Sequence, residues 1–405
     1  MTRQTSLFAG ALFSLIAAPA VAQDPVEQGA PNAGFEPAFE NQTRAPAMDS
    51  GVTLTASEFS GELVHPWGID ALPNGGWLVT ERPGRMRVMS EDGTLSDPIE
   101  GLPEVLAERQ GGLLDVKVGP DFAEDRMIYW TYAKPMENGE SATAAARGVL
   151  SEDRTEVTEV EDIFVQSPSS PSPMHYGSRI VFDGEGHAFI TTGEHFTQEE
   201  REFAQDLDTT YGKVVRVALD GTVPEGNPYT GEARSDAARQ VWSYGHRNVQ
   251  GAAIHPETGQ LWTIEHGPAG GDELNRIEPG TNYGWPVISY GVNYNGNEVG
   301  TGDAVQDGMA QPRYYWDPVI APGDMVFYDG EMFGDWQGDL LIASLSPGGI
   351  VRLSLDGDTV TGEERFMMGE RRIRDIAVAP DGALLALWDD PNGAVLRMTP
   401  EEMSN

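Results

Sequence analysis

Several short stretches of this chain concentrate side chains that can move a proton, bind an anion or hold a cation. They are Arg109-Gln110-Gly111-Gly112, Met174-His175-Tyr176-Gly177-Ser178-Arg179, Gly193-Glu194-His195 and Tyr244-Gly245-His246-Arg247-Asn248. Glu265-His266-Gly267-Pro268-Ala269-Gly270-Gly271-Asp272-Glu273, Asn282-Tyr283-Gly284-Trp285-Pro286 and Arg371-Arg372-Ile373-Arg374-Asp375 complete the set. A neutral imidazole accepts a proton near neutral pH. Planar guanidinium groups bind carboxylates through two parallel hydrogen bonds, and Arg371, Arg372 and Arg374 cluster in a chain where acids far outnumber bases. Gly267 to Glu273 offers backbone carbonyls and hard carboxylate oxygens of the kind calcium takes. Each stretch also has a plainer reading. A histidine beside a strand is commonly hydrogen-bonded scaffold, as expected for His187 and His255 in hairpin turns. The arginines also serve as surface charges on an acidic protein, and 267–273 also reads as an acidic turn without metal.

These stretches lie at the ends of a recurring unit. Two period-2 apolar segments joined by a Gly, Asp, Asn or Pro turn recur as GIDALPNGGWLVT from Gly68, LLDVKVGPDFAEDRMIYWT from Leu113 and SRIVFDGEGHAFITT from Ser178. They return as GAAIHPETGQLWTI from Gly251, DMVFYDGEMFGDWQGDLLIAS from Asp324 and DIAVAPDGALLALW from Asp375. Each copy has the signature of a β-hairpin. A spacing of roughly 45–75 residues suits four-stranded blades with loop insertions. The 48 glycines and 28 prolines likewise favour many short strands. The expectation is an all-β, six-bladed β-propeller over 51–405. A pair of β-sandwiches is the alternative, but sandwiches do not repeat one hairpin along a whole chain. A propeller gathers loops from distant parts of the sequence at one funnel.

The chain has 405 residues, 26 basic and 64 acidic, for a net charge of −38. That balance argues against nucleic acid or an anionic membrane surface as partner. The lysines are Lys117, Lys134 and Lys213, so positive charge is almost all arginine. With no cysteine, disulfides, thiolate metal sites and cysteine nucleophiles are excluded. Residues 1–22 read as a secretory signal: Arg3, an apolar run from Leu7 to Ala18, and Ala20-Val21-Ala22 as the cleavage pattern. The expected product is periplasmic or secreted, cleaved near Ala22, with no membrane insertion, since no later segment is a long unbroken apolar run. Residues 23–50 lack periodicity and are expected to be a flexible acidic tail.

In this order, GHRNVQG, EHGPAGGDE, NYGWP and RIRD resemble the soluble PQQ-dependent aldose sugar dehydrogenases, relatives of soluble quinoprotein glucose dehydrogenase. The resemblance covers roughly residues 60–400 and implies a six-bladed propeller using PQQ and Ca2+ to oxidise aldoses to lactones. It implies that His175 is the general base at the anomeric hydroxyl and that Arg247 stabilises charge growing on the quinone oxygen. Gln110, Arg247 and Asn248 match cofactor-contacting positions, and Arg372 and Arg374 match those holding cofactor carboxylates. Gly267 and Pro268 match carbonyl ligands of the cofactor-bound calcium, and Glu273 and Tyr283 match a second calcium site. One position departs from the family: Ser346 stands where a cofactor-binding lysine is usual, and no lysine lies nearby. Two other functions compete on the sequence. One is a calcium-dependent propeller lactonase or esterase using His175, Glu194, His195 or Glu265. The other is a non-catalytic propeller binding glycans or protein. The arginines and the GHRN segment favour the dehydrogenase, and the missing lysine favours the others. The sequence names neither the sugar nor the electron acceptor. The loops expected to set specificity, around 133–173 and 287–320, show no decodable pattern.

Overall fold

The computed structural model describes residues 23–231 and 234–401; the signal segment expected over 1–22 lies outside the described residues. Six antiparallel sheets form a six-bladed β-propeller. The alternation read in each hairpin copy supplies the two inner strands of a blade, because a strand with one apolar face per sheet side packs between neighbouring blades. Blade one is three-stranded: Pro66–Ala71, Trp77–Glu81 and Arg85–Met89. Blades two to five run outward in chain order from innermost strands Leu113–Val118, Ile180–Phe182, Val249–Ile254 and Pro322–Phe327. The sixth combines Ile373–Val378, Leu384–Trp388 and Gly393–Pro400 with Leu54–Leu63 from the other end of the chain. That closing pair is antiparallel, running from Leu54 opposite Pro400 to Leu63 opposite Gly393. Apolar clusters fill the spaces between adjacent sheets, for example Trp130, Leu78 and Val116 between blades one and two.

The axis is filled by one buried arginine. The Arg179 guanidinium lies 2.9 Å from Asp115, 3.2 Å from Asp324 and 3.2 Å from Asp375. It also donates to the carbonyls of Gln250 and Gly323 and stands 4.5 Å from the centroid of Trp67. These partners come from the innermost strands of all the other blades, so a single side chain cross-links the ring.

Residues 23–50 correct the expectation of a flexible tail. They form a strap across blades four and five, with Gln42 and Ala45 fully buried. Met48 N donates to Glu363 O at 2.8 Å and Glu363 N to Pro46 O at 3.0 Å. The Asp317 carboxylate accepts from Asn32 N, Asn32 Nδ2 and Ala33 N at 2.7–2.8 Å. The strap is held by isolated polar and aromatic anchors, and these leave no periodic trace. Asp317→Ala is expected to cost about 1–3 kcal/mol by orphaning these donors. An unchanged urea midpoint would mean that the Asp317 anchor contributes nothing to stability.

Candidate active site

The sequence places its dense stretches where inner strands end, and the ring brings them together. A cavity of about 220 Å³ beside the axis is lined by Gln110, His175, Arg247, Asn248, Arg372 and Arg374, together with Arg82, Gln250, His266 and Asp389.

His175 sits on the approach to the blade-three inner strand with a left-handed backbone, φ 46°. The Gln110 side-chain oxygen accepts its N–H at 2.8 Å. A carbonyl–glycine contact fixes the same turn: a Cβ on Gly193 would lie 2.0 Å from the His175 oxygen, so only glycine fits. His175 Nδ1 lies 2.7 Å from Glu194 Oε2. A carboxylate only accepts, so Nδ1 carries the proton and Nε2 is left as the basic nitrogen. Burial pushes the His175 imidazole below its usual range, opposed by Glu194 and assisted by Arg247. The ring is therefore neutral at pH 7. Burial alone would raise the Glu194 carboxyl, but His175, Arg247 and the Phe196 N–H hold it below its ordinary value.

Arg247 follows the Val241–Tyr244 strand, where its N–H donates to Glu265 at 2.6 Å. Its guanidinium donates to the carbonyls of His266 and Gly267 at 3.0 and 2.6 Å and lies 5.2 Å from the Trp285 centroid. Its Nε is buried without a partner among the described residues. Asn248 uses its side-chain oxygen to hold Gly177 N at 3.0 Å, so it also shapes the turn that carries His175.

On the opposite wall, Arg372 and Arg374 share Asp389 at 3.3 and 3.1 Å. Arg374 also donates to Gln250 at 2.8 Å. Burial pushes Arg374 down to about 10; Asp389 opposes this, while neighbouring Arg372 and Arg82 add to it. Cations thus outnumber anions here, in a protein of net charge −38. Sequence reasoning missed Arg82 and Asp389. Arg82 follows the Trp77–Glu81 strand, where a charged residue in a turn reads as solvent-facing, and it donates to the carbonyls of Gly111 and Arg109. Ser346, at the position of the usual lysine, is not in the cavity wall, whereas its neighbour Leu345 is. Arg82 therefore supplies a cation to this wall from another blade.

Gly267 and Pro268 lie beside Arg247 and line a small cavity of about 10 Å³ with Glu265, Glu273 and Tyr283. Asp272 shapes this loop by accepting from Gly267 N, Ile320 N and Ala321 N at 2.7–2.9 Å. Burial, with Glu265 nearby, raises the Glu273 carboxyl well above its usual range. Glu265 is hydrogen-bonded on both oxygens, so Glu273 is the carboxylate this ion-sized space offers a hard cation. The Tyr283 hydroxyl is already engaged, donating to Arg276 O and accepting from Glu278 N, so its backbone carbonyl is the atom left for a metal.

Of the residues named for the hydrolase alternative, His175 at the cavity is paired with Glu194, but His195 and Glu265 do not join them. His195 is fully buried, its ring nitrogens 3.0 Å from Ser172 O and 2.6 Å from the Gln166 side chain. Glu265 is bonded to His246, Arg247 N and Asn275. His187 pairs with Asp183 in a turn, and His255 packs on Phe327, both as scaffold.

Residues 63–397 match the glucose/sorbosone dehydrogenase family model. The chain is 41% identical over 352 residues to the aldose sugar dehydrogenase YliI of Escherichia coli, covering 86% of this chain and 93% of that protein. It is 27% identical to quinoprotein glucose dehydrogenase B of Acinetobacter calcoaceticus, over 81% and 83% of the two chains. Among solved structures it resembles the apo soluble aldose sugar dehydrogenase of Escherichia coli, with TM-score 0.82, 40% identity and coverage of 86% and 100%. It also resembles the PQQ-bound aldose sugar dehydrogenase of Streptomyces coelicolor, with TM-score 0.70, 26% identity and coverage of 87% and 99%. The chain belongs to the glucose/sorbosone dehydrogenase family.

Proposed function

We propose that this protein is an exported, PQQ- and calcium-dependent dehydrogenase that oxidises aldoses at C1 to lactones. The observation that carries this reading is the pairing of a neutral, carboxylate-oriented His175 with an arginine-rich cavity wall. A polycarboxylate is the kind of ligand such a wall accommodates, and the partnerless Nε atoms of Arg247 and Arg374 fit it. Arg82, Arg372 and Arg374 would hold the carboxylates of PQQ, with Gln110 and Asn248 beside them. The Gly267 and Pro268 carbonyls would hold its calcium, and Glu273 with the Tyr283 carbonyl a second ion. PQQ with its calcium supplies the hydride acceptor.

His175 Nε2 takes the proton of the C1 hydroxyl while the C1 hydrogen departs with its electron pair, so the C1–O bond becomes the lactone carbonyl. Glu194 keeps the imidazole in the required tautomer and stabilises the imidazolium that forms. Arg247, fixed beforehand by two carbonyls and the Trp285 face, would stabilise the negative charge that develops on the quinone oxygen. The test is to add PQQ and calcium to the purified protein and assay aldoses with an artificial acceptor dye. Failure to take up PQQ would overturn the proposal.

The Arg82 assignment has its own check. Arg82→Ala is expected to weaken PQQ binding about ten- to a hundredfold, the worth of one charge-assisted hydrogen bond. Titration followed by PQQ absorbance reads this directly. Unchanged affinity would return the lysine's role to Arg372 and Arg374 alone.

A further inference from the structure

A second cavity, of about 450 Å³, opens beside the first and shares Arg247 and Tyr294 with it. Glu194 and Phe196, next to His175, form part of its wall, and Trp285, Asn293 and Arg201 form another part. Arg201 is the second guanidinium over Trp285, 5.8 Å from the ring centroid. Its Nη1 donates to Asn293 Oδ1 at 3.0 Å, and its Nη2 makes no hydrogen bond among the described residues. The nearest carboxylate is Glu202, 3.8 Å from Nε, whose side chain is 65% exposed and so screened by water.

Arg201 is presented rigidly. It lies in the Glu200–Gln205 turn, where Lys213 Nζ donates to the carbonyls of Phe203 and Ala204 at 2.8 and 3.0 Å. Gln205 Nε2 ties the same turn to Asn282 Oδ1 and Trp285 O at 3.0 and 2.7 Å. Of the two acids in the cavity wall, Glu194 is committed to His175 and Phe196 N, and Glu298 is exposed at the rim. The remaining polar lining is neutral amide from Gln198, Asn293, Asn295 and Asn297. A guanidinium with an open donor, held over an aromatic face within reach of the reacting end, is a carboxylate receptor.

We propose that this cavity receives the part of the sugar remote from C1, and that Arg201 there favours aldoses bearing a carboxylate, the hexuronates, over neutral aldoses. The proposal rests on the dehydrogenase reading for its chemistry: C1 is oxidised as before, and the substrate carboxylate takes no part in the step.

The probes are D-glucuronate and D-glucose, titrated calorimetrically into the protein with PQQ and calcium and followed in parallel by dye-linked oxidation. Wild type is expected to bind glucuronate about tenfold more tightly than glucose at low salt, a preference that shrinks as salt screens the charge. Arg201→Gln should bring the two sugars within about twofold of each other, and Arg201→Lys should restore part of the difference. Equal wild-type affinities, a salt-independent preference, or a preference that survives Arg201→Gln would overturn the proposal. Should Arg201→Gln fail to fold, the wild-type preference and its salt dependence still decide. If glucose is oxidised but glucuronate is not preferred, the assignment of Arg201 fails and the dehydrogenase reading stands. If neither sugar is oxidised while glucuronate binds through Arg201, the dehydrogenase reading fails and the cavity assignment stands.

Discussion

Replacing His175 with alanine is expected to lower the rate of aldose oxidation by about two to four orders of magnitude while PQQ remains bound. His175 is the residue proposed to act on the substrate hydroxyl, whereas the carboxylates of PQQ are assigned to arginines on other blades. In wild type the acid limb of the pH profile should inflect below 6.5, because burial lowers this imidazole and protonation removes the base. Activity therefore rises with pH on that acid limb and levels off toward neutrality. The His175→Ala variant should lose that limb along with the rate. Arg247→Ala, by contrast, is expected to lose about two to three orders in rate and to hold PQQ less firmly, since its guanidinium is proposed to stabilise the oxyanion and donates to the Gly267 carbonyl. Stopped-flow reduction of bound PQQ by sugar separates these outcomes. Wild-type turnover in His175→Ala with PQQ bound would show the mechanism to be wrong.

Arg179→Met should cost about 3–5 kcal/mol or prevent accumulation of folded protein altogether. Typical domains have only about 5–15 kcal/mol in hand. The substitution keeps much of the volume but leaves Asp115, Asp324 and Asp375 facing one another in the interior without the charge that joins them. It also removes donors to the Gln250 and Gly323 carbonyls. The sign of the pH dependence follows. With Arg179 gone and only Lys117 left to oppose burial, these carboxyls bind protons more tightly in the folded chain than in the unfolded one. Their protonation therefore favours folding, and the variant's deficit should narrow as pH falls toward about 4, the ordinary Asp value. Arg179→Lys is not expected to rescue, since an ammonium cannot reach partners on several blades at once. A denaturant midpoint like that of wild type would refute this account of the axis.

The fold was legible because each blade repeats one local pattern. The hairpin copies that begin at Gly68, Leu113, Ser178, Gly251, Asp324 and Asp375 each contain the inner strands of one sheet. His175, Arg247, Asn248, Gln110, Arg372 and Arg374 were legible as candidates because they are polar residues where inner strands end, and the ring brings them to one cavity. Arg179 stands in the same stretch as His175 and looks equally reactive on paper, yet four residues further on it faces the axis. Arg82 and Asp389 were not legible, since the match of an arginine on blade one with an acid on blade six exists only after the ring closes. Asn293 and Tyr294 of the 287–320 loop line the larger cavity, but the Glu200–Gln205 turn that carries Arg201 gave no signal in the sequence.

The sheet that joins Leu54–Leu63 to Gly393–Pro400 has a consequence for how the molecule comes into being. Pairing Leu54 with Pro400 unites residues from opposite ends of the chain, and such non-local contacts form late because a long loop must close first. The ring therefore cannot be completed on a growing chain. Until the last strand has been synthesised, the first waits with an unpaired edge, a template for aggregation or for a chaperone. Loss of the Gly393–Pro400 strand would strip Leu54–Leu63 of its partner and leave the ring open at the sixth blade, so closure of the cylinder depends on that one late pairing.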